Sequence, residues 1–358
     1  MHRAAPGTDW RQIEHRNRMQ RHRRRVAAGL QRSNCGLESL ADGQITGQWK
    51  ERGSINQAGS VFDTEYDPET NDLWLISAGG TLFKGNLLDP SWEVVNQDLR
   101  FNPGLLRFIE RDSGRRLVAF AGRLPHYSDD DGLTWTTGSG LLHTDRWGNI
   151  HRPVMLDDSL STIYVMSKSD YWDPVRLFRS TNQGESFLPV DPMDSHDFSR
   201  YDMYRPHGYP QALLAIKSES NKAELYETVP DGPPVLLNEG SFFSFGNAPA
   251  NIAGATKGDT LILYAYRKLP GLQWQVHRST DYGLNWELRG NLPKAPWDAG
   301  LFVDPDNPDV LYMGEVECFR SLDGGQNWEK INDWADYYDD IEGSLHADMM
   351  HFDAFKMA

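Results

Sequence analysis

Carboxylates, imidazoles and guanidinium groups are the side chains of this sequence that could do chemistry. Asp129, Asp130 and Asp131 follow one another in "YSDDDGLTW", and several oxygen donors in one tight loop are what a calcium ion asks for. Farther along, His346, Asp348 and His351 are ordinary zinc ligands by type. Their spacing matches no zinc signature, and strand alternation puts His346 and Asp348 on one face and His351 on the other. No metal is expected from them. There is also no glycine-rich phosphate loop, nucleophile elbow or redox motif, so no cofactor is expected.

Stepping from those residues to the elements that carry them, the aspartate loop turns out to recur. "STDYGLNW" places Ser279, Asp281, Gly283, Asn285 and Trp286 where the first copy has Ser128, Asp130, Gly132, Thr134 and Trp135. "SLDGGQNW" aligns Ser321, Asp323, Gly325, Asn327 and Trp328, and "STNQGESF" relaxes the pattern through Ser180, Asn182, Gly184, Ser186 and Phe187. Only one carboxylate persists per copy, and in the fourth the aspartate position holds Asn182, so a metal cage is the poorer reading. A hairpin turn is the better one. Serine and aspartate oxygens accept backbone N–H bonds in a tight loop, and glycine supplies a positive φ.

The closing aromatics at 135, 187, 286 and 328 are separated by 52, 99 and 42 residues. The long interval holds a hidden unit near 236, where "LYETVPDGPPVLL" reads strand, turn, strand, and Trp92 in "LFKGNLLDPSWEVV" marks an earlier one. Each copy follows short apolar strands separated by turn signals, as in "VDPDNPDVLYMGEVECFRSLDGGQNW". A period of 40 to 50 residues with four strands per unit is the pattern of propeller blades. The expected fold is all-β: a β-propeller of four-stranded blades, with six complete repeats from Trp49 to Trp328 and a partial seventh. A ring of seven blades is the alternative. Residues 40–50 are the expected source of ring closure, since a propeller must satisfy its last edge.

Composition supports this. The chain of 358 residues has 32 Gly and 20 Pro for turns, and 12 Trp, 14 Tyr and 15 Phe for a core. The net charge of −15 is uneven: the first 34 residues hold nine Arg against Asp9 and Glu14, leaving −22 for the rest. Such a body repels nucleic acid. Residues 8–31 read as a helix, so the expected domains are a basic helical segment over 1–39 and the propeller over 40–358. No apolar run reaches the length of a membrane span, and no signal peptide is legible. Cys35 and Cys318 are too few for a disulfide framework.

The repeated Ser-x-Asp-x-Gly-x-Thr/Asn-Trp motif resembles the Asp box, or bacterial neuraminidase repeat, of sialidase-like β-propellers. Three good copies and one relaxed copy carry that resemblance from about Trp49 onward. It implies that the box residues Ser128, Asp130, Gly132, Trp135, Ser180, Asn182, Gly184, Phe187, Ser279, Asp281, Gly283, Trp286, Ser321, Asp323, Gly325 and Trp328 are structural and lie on outer turns. More loosely, "WKERGSINQAGSVFDTEYD" and "SLHADMMHFDAF" resemble large secreted bacterial propeller proteins, commonly sorted by the type IX system. An extracellular or cell-surface location is the expectation that follows.

A sialidase would bring three arginines around a sugar carboxylate, a Tyr-Glu nucleophile pair, an Asp acid/base and an early Arg-Ile-Pro motif. The nearest approach here is "GRLP", Gly122 to Pro125, which abuts the first box rather than preceding it at a distance. Arg107, Arg123, Arg152 and Arg176 are the candidate arginines. An endoglucanase of the propeller type would carry Asp-x-Gly-Gly, and here Ser77 stands at the aspartate position before Gly79 and Gly80. A serine cannot replace one of two paired carboxylates.

Propeller ligands gather at the axial mouth. The candidates there are Asp63, Arg107, His151, Arg152, His207, Asp298, His346 and Asp348. Trp334, Tyr337 and Tyr338 in "DWADYYDD" add aromatic surface suited to sugar stacking. The leading expectation is a secreted module that binds a glycan or a protein. The alternative is a glycoside hydrolase of the sialidase or endoglucanase kind, using axial carboxylates.

Overall fold

The computed structural model describes residues 61–77, 79–86, 88, 91–97, 99, 105–121, 124–141, 149–168, 176–190, 201–217, 223–230, 232–240, 252–268, 274–295, 300–340, 344–345, 349 and 352–355. The predicted helix over 8–31 and the predicted closure by residues 40–50 lie outside them. The described residues form six four-stranded antiparallel sheets, in each of which the order in space is the order along the chain. This is a six-bladed β-propeller.

Blade one comprises β1 (Val61–Asp67), β2 (Asp72–Ser77), β3 (Leu82–Asn86) and β4 (Trp92–Asn96). Blade two comprises β5 (Leu105–Arg111), β6 (Gly114–Ala121), β7 (Leu124–Ser128) and β8 (Thr136–Thr137). Blade three follows as β9 (Asn149–Met155), β10 (Ile163–Lys168), β11 (Arg176–Ser180) and β12 (Leu188–Val190). In blade four the strands are β13 (Tyr201–Tyr204), β14 (Leu213–Lys217), β15 (Ala223–Glu227) and β16 (Val235–Gly240). Blade five holds β17 (Ile252–Lys257), β18 (Thr260–Lys268), β19 (Trp274–Ser279) and β20 (Glu287–Asn291). Blade six ends the series with β21 (Leu301–Val303), β22 (Leu311–Gly314), β23 (Cys318–Ser321) and β24 (Glu329–Asn332). Beyond β24 the described residues hold one 3-10 turn, Asp336–Tyr338, and no strand.

First strands of successive blades lie beside one another and form the inner ring. Second strands are buried on both faces, as in β18, where Leu261 through Tyr266 are all buried. Such strands read as continuous apolar runs rather than alternating ones. Fourth strands are largely exposed.

Five apolar clusters lie between neighbouring blades. Trp74, Leu82 and Leu117 join blades one and two, and Phe120, Val165 and Phe187 join two and three. Tyr164 and Leu214 meet between three and four, Leu225 and Leu263 between four and five, and Tyr264, Val276 and Leu311 between five and six. Among the described residues no such cluster joins blade six to blade one. At that seam Met349 and residues 352–355 carry the described contacts. Met349 N–H donates to the Glu315 carbonyl (2.8 Å), Phe352 lies against Phe302 and Tyr312, and Phe355 lies against Tyr66.

Candidate functional site

The repeated turns join third to fourth strands in blades two, three, five and six. In the first, Ser128 Oγ donates to Asp130 Oδ1 (2.7 Å) and accepts from Gly132 N–H (2.8 Å). Asp130 also accepts from the Thr134 amide (2.8 Å) and hydroxyl (2.6 Å), and those Thr134 bonds hold its carboxyl below the ordinary value. The same bonds recur around Ser180 and Asn182, Ser279 and Asp281, and Ser321 and Asp323. Each turn places two successive residues in the left-handed region, such as Asp131 (φ 54°) and Gly132 (φ 81°).

Asp129, Asp130 and Asp131 are turned to separate partners. Asp129 takes two bonds from the buried Arg116, at 2.7 and 2.8 Å. Asp131 pairs with Arg115 at 2.7 Å. Arg116 continues to Glu185 of blade three (2.8 Å), so this group fastens two blades at the rim. No cluster of three or more metal-ligating side chains occurs among the described residues.

The inner ring holds a different set. Asp63, on β1, accepts from the Leu106 amide of β5 (2.7 Å) and from Arg107 Nη1 (3.0 Å). Asp202, on β13, accepts in the same way from the Ile252 amide of β17 (2.9 Å). Both carboxylates are buried, so Asp63 fastens neighbouring blades and also holds Arg107. Arg107 further donates to the carbonyls of Thr64 (3.1 Å) and Leu106 (2.6 Å). Glu65 lies 3.5 Å from it and Asp353 3.6 Å, while the Thr64 hydroxyl donates to Asp353 (2.6 Å). One guanidinium therefore faces three carboxylates. Burial pushes Glu65 up to about 8; Arg107 opposes this, and Asp63 and Asp353 add to it.

Blades four and six contribute aromatic and cationic groups near these. Tyr204 reaches the Gly254 carbonyl at 3.5 Å, and burial raises its phenol above the ordinary value. The inner strand of blade five is small there, with Ala253, Gly254 and Ala255, which admits a large neighbour. His207 exchanges backbone bonds with β17, donating to Gly254 (3.0 Å) and accepting from Thr256 (2.8 Å). Its ring stands edge-on to Tyr204 and Phe302, at 6.2 and 5.3 Å. The buried Nε2 has no hydrogen-bond partner among the described residues, and burial, with Arg205 adding to it, holds the imidazole below its ordinary value. Burial also lowers Arg205; Asp157 opposes this and Arg107 adds to the lowering.

Of the sequence candidates, Asp63, Arg107 and His207 fall on or beside inner strands, and Asp63 and Arg107 touch. His151 and Arg152 lie on β9, the first strand of blade three. Asp298, His346, Asp348, His351 and Arg123 lie outside the described residues. Arg176 opens β11, a third strand, and is exposed. Ser77, 2% exposed, caps its own turn by accepting from the Thr81 amide (3.2 Å). Trp334 and Tyr338 meet at 90° and Tyr337 and Tyr338 at 80°, so these rings form no flat platform. Sequence reasoning missed Glu65, Tyr204, Arg205 and Asp353. For Glu65 the signal was present, since it follows Asp63 by two residues on one strand.

No protein family matches the chain, and no curated protein matches it. Among solved structures it is similar to a putative 6-phosphogluconolactonase from Bacteroides uniformis at 12% identity, covering 80% of this chain and 85% of that one, with a TM-score of 0.49. It is also similar to YCF48 bound to D1 peptide at 13% identity, covering 77% and 82%, with a TM-score of 0.48. A third similarity is to Aleuria aurantia lectin in complex with alpha-methyl-L-fucoside, at 12% identity over 72% and 88%, with a TM-score of 0.44.

Proposed function

We propose that this chain is a binding propeller whose inner ring takes a glycan or protein ligand, acting outside the cell or at its surface. One observation carries the reading: Arg107, Glu65, Tyr204, Arg205, His207 and Phe302 come from blades one, two, four and six yet lie in contact or in electrostatic reach of one another. Charged donors and acceptors among aromatic rings, with an imidazole nitrogen that has no partner among the described residues, are the mixture by which a concave site orients a polar ligand. The repeated rim turns support the further assignment to the Asp-box group of sialidase-like propellers, with the box residues structural. The location rests on the resemblance to secreted propeller proteins.

The test is binding of the purified chain to arrays of glycans and extracellular proteins, beside an Arg205→Ala/Tyr204→Phe variant. A ligand bound by the parent chain and at least tenfold more weakly by the variant is expected. A folded chain that binds nothing, or a variant that binds equally well, overturns the reading.

A second reading has its own observation. Glu65, pushed up to about 8, stays protonated at neutral pH beside the carboxylates of Asp63 and Asp353, and such a division is how glycoside hydrolases separate acid from base or nucleophile. Release of a defined sugar from mixed sialosides and polysaccharides, detected by mass spectrometry and abolished by Glu65→Gln, would establish it. No release by the folded chain removes it.

A further inference from the structure

Met349 and residues 352–355 lie on the seam between blades six and one, and none of them is in a strand. Their one described backbone bond is Met349 N–H to the Glu315 carbonyl, and the remaining contacts are made by spaced side chains. Phe352 packs on Phe302 (6.0 Å) and Tyr312 (6.1 Å), both tilted by 34°. Asp353 takes the Thr64 hydroxyl and faces Arg107. Phe355 meets Tyr66 at 5.9 Å. Gly314 makes room for this path, because a Cβ there would strike the Met349 carbonyl and stand 2.9 Å from Phe352. The surface thus reads an aromatic residue, an aspartate, one spacer and a second aromatic.

These contacts differ from those that hold the blades together. Arg107 is already bonded to Asp63 and to two backbone carbonyls, so losing Asp353 leaves it paired. Thr64 and Arg107 are half-buried and can be hydrated when uncovered. No apolar cluster joins blades six and one among the described residues, so Phe302, Tyr312 and Tyr66 have open faces once the segment leaves.

We propose that the seam is a docking site for an extended peptide of a partner protein carrying aromatic–Asp–x–aromatic, and that residues 352–355 cover it as an internal competitor. The inference rests on the reading of the inner ring as a binding site and names its partner. An internal segment competes at an effective concentration of ~1 mM, so the peptide must be measured against a chain whose own segment has been released.

The probe is a fluorescent synthetic peptide with the sequence of residues 345–358, followed by anisotropy. The proteins are the full chain, its Phe352→Ala/Asp353→Ala/Phe355→Ala variant, and a Gly314→Val variant that displaces the segment without altering it. The expected result is that both variants unfold cooperatively and bind the peptide at least about tenfold more tightly than the parent. Replacing the peptide's aspartate by asparagine should then weaken binding by a further tenfold or more. Folded variants that bind no better than the parent overturn the proposal. Loss of cooperative folding in both variants also overturns it, because the segment is then a structural clasp. A released variant that binds an array ligand but not the peptide sinks this inference alone. Array binding indifferent to Arg205 and Tyr204 sinks the broader reading.

Discussion

Glu65 shows how one residue's surroundings set its charge. Its carboxyl sits at the inner ring where burial outweighs the nearby Arg107, and its value rises from 4.5 to about 8. A carboxyl raised in the folded state gives stabilisation that is complete below the unfolded value, about pH 4.5, and is lost as pH climbs through 8. Denaturant midpoints measured from pH 5 to 9 should therefore fall for the parent chain. Glu65→Gln should flatten that profile and exceed the parent at pH 9, and parallel profiles would show that Arg107 keeps Glu65 ionised. Sequence reasoning reached Asp63 and Arg107 as single polar residues on strands expected to face the axis. It did not reach Asp353, which lies 289 residues from Thr64 and bonds to it. Nor did it show the buried Asp63 accepting from the next blade's amide as Asp202 does, because that duty depends on which strands become neighbours.

The elements most legible in the sequence are the repeated turns, since serine, aspartate and glycine interact there within five residues of one another. What spacing alone concealed is the second demand on each glycine. Gly325 sits at φ 86°, and a Cβ on it would stand 2.6 Å from Val276 Cγ1 of the preceding blade. Gly132, Gly184 and Gly283 likewise face Leu82, Val118 and Leu225. Each turn is thus a packing surface between blades as well as a connection within one. Gly325→Ala combines left-handed strain with overpacking and should cost about 2–4 kcal/mol. Ser321→Ala leaves the buried Gly325 amide without its acceptor and should cost about 1–3 kcal/mol. The neighbouring Leu322, 60% exposed, provides the contrast: its alanine variant should stay within about 0.5 kcal/mol. Urea denaturation of the three variants checks the order, and a Leu322→Ala loss equal to that of Gly325→Ala would contradict it.

At the scale of the molecule, strand count and period were readable because each unit repeats its turn chemistry, and the six intervals ending at Trp328 correspond to six sheets. Closure by residues 40–50 lies outside the described residues, while the described seam contacts join residues from distant parts of the chain, which local spacing does not show. The one described strand of the partial seventh unit expected after Trp328 is β24, which completes blade six; Met349 and residues 352–355 lie on the seam. Five blade interfaces carry apolar clusters, while the described contacts at the sixth are aromatic and ionic contacts to those residues. Local opening follows the least buried contacts, so the ring should open first between blades six and one. Native-state hydrogen exchange read by mass spectrometry should find the weakest protection among second strands in β2 and β22, with stronger protection in β10, β14 and β18. Added salt should widen the gap, because it screens the partly exposed Arg107 and Asp353 pair and leaves apolar burial intact. Equal protection around the ring at both salt concentrations would mean that the seam is held as firmly as the apolar interfaces.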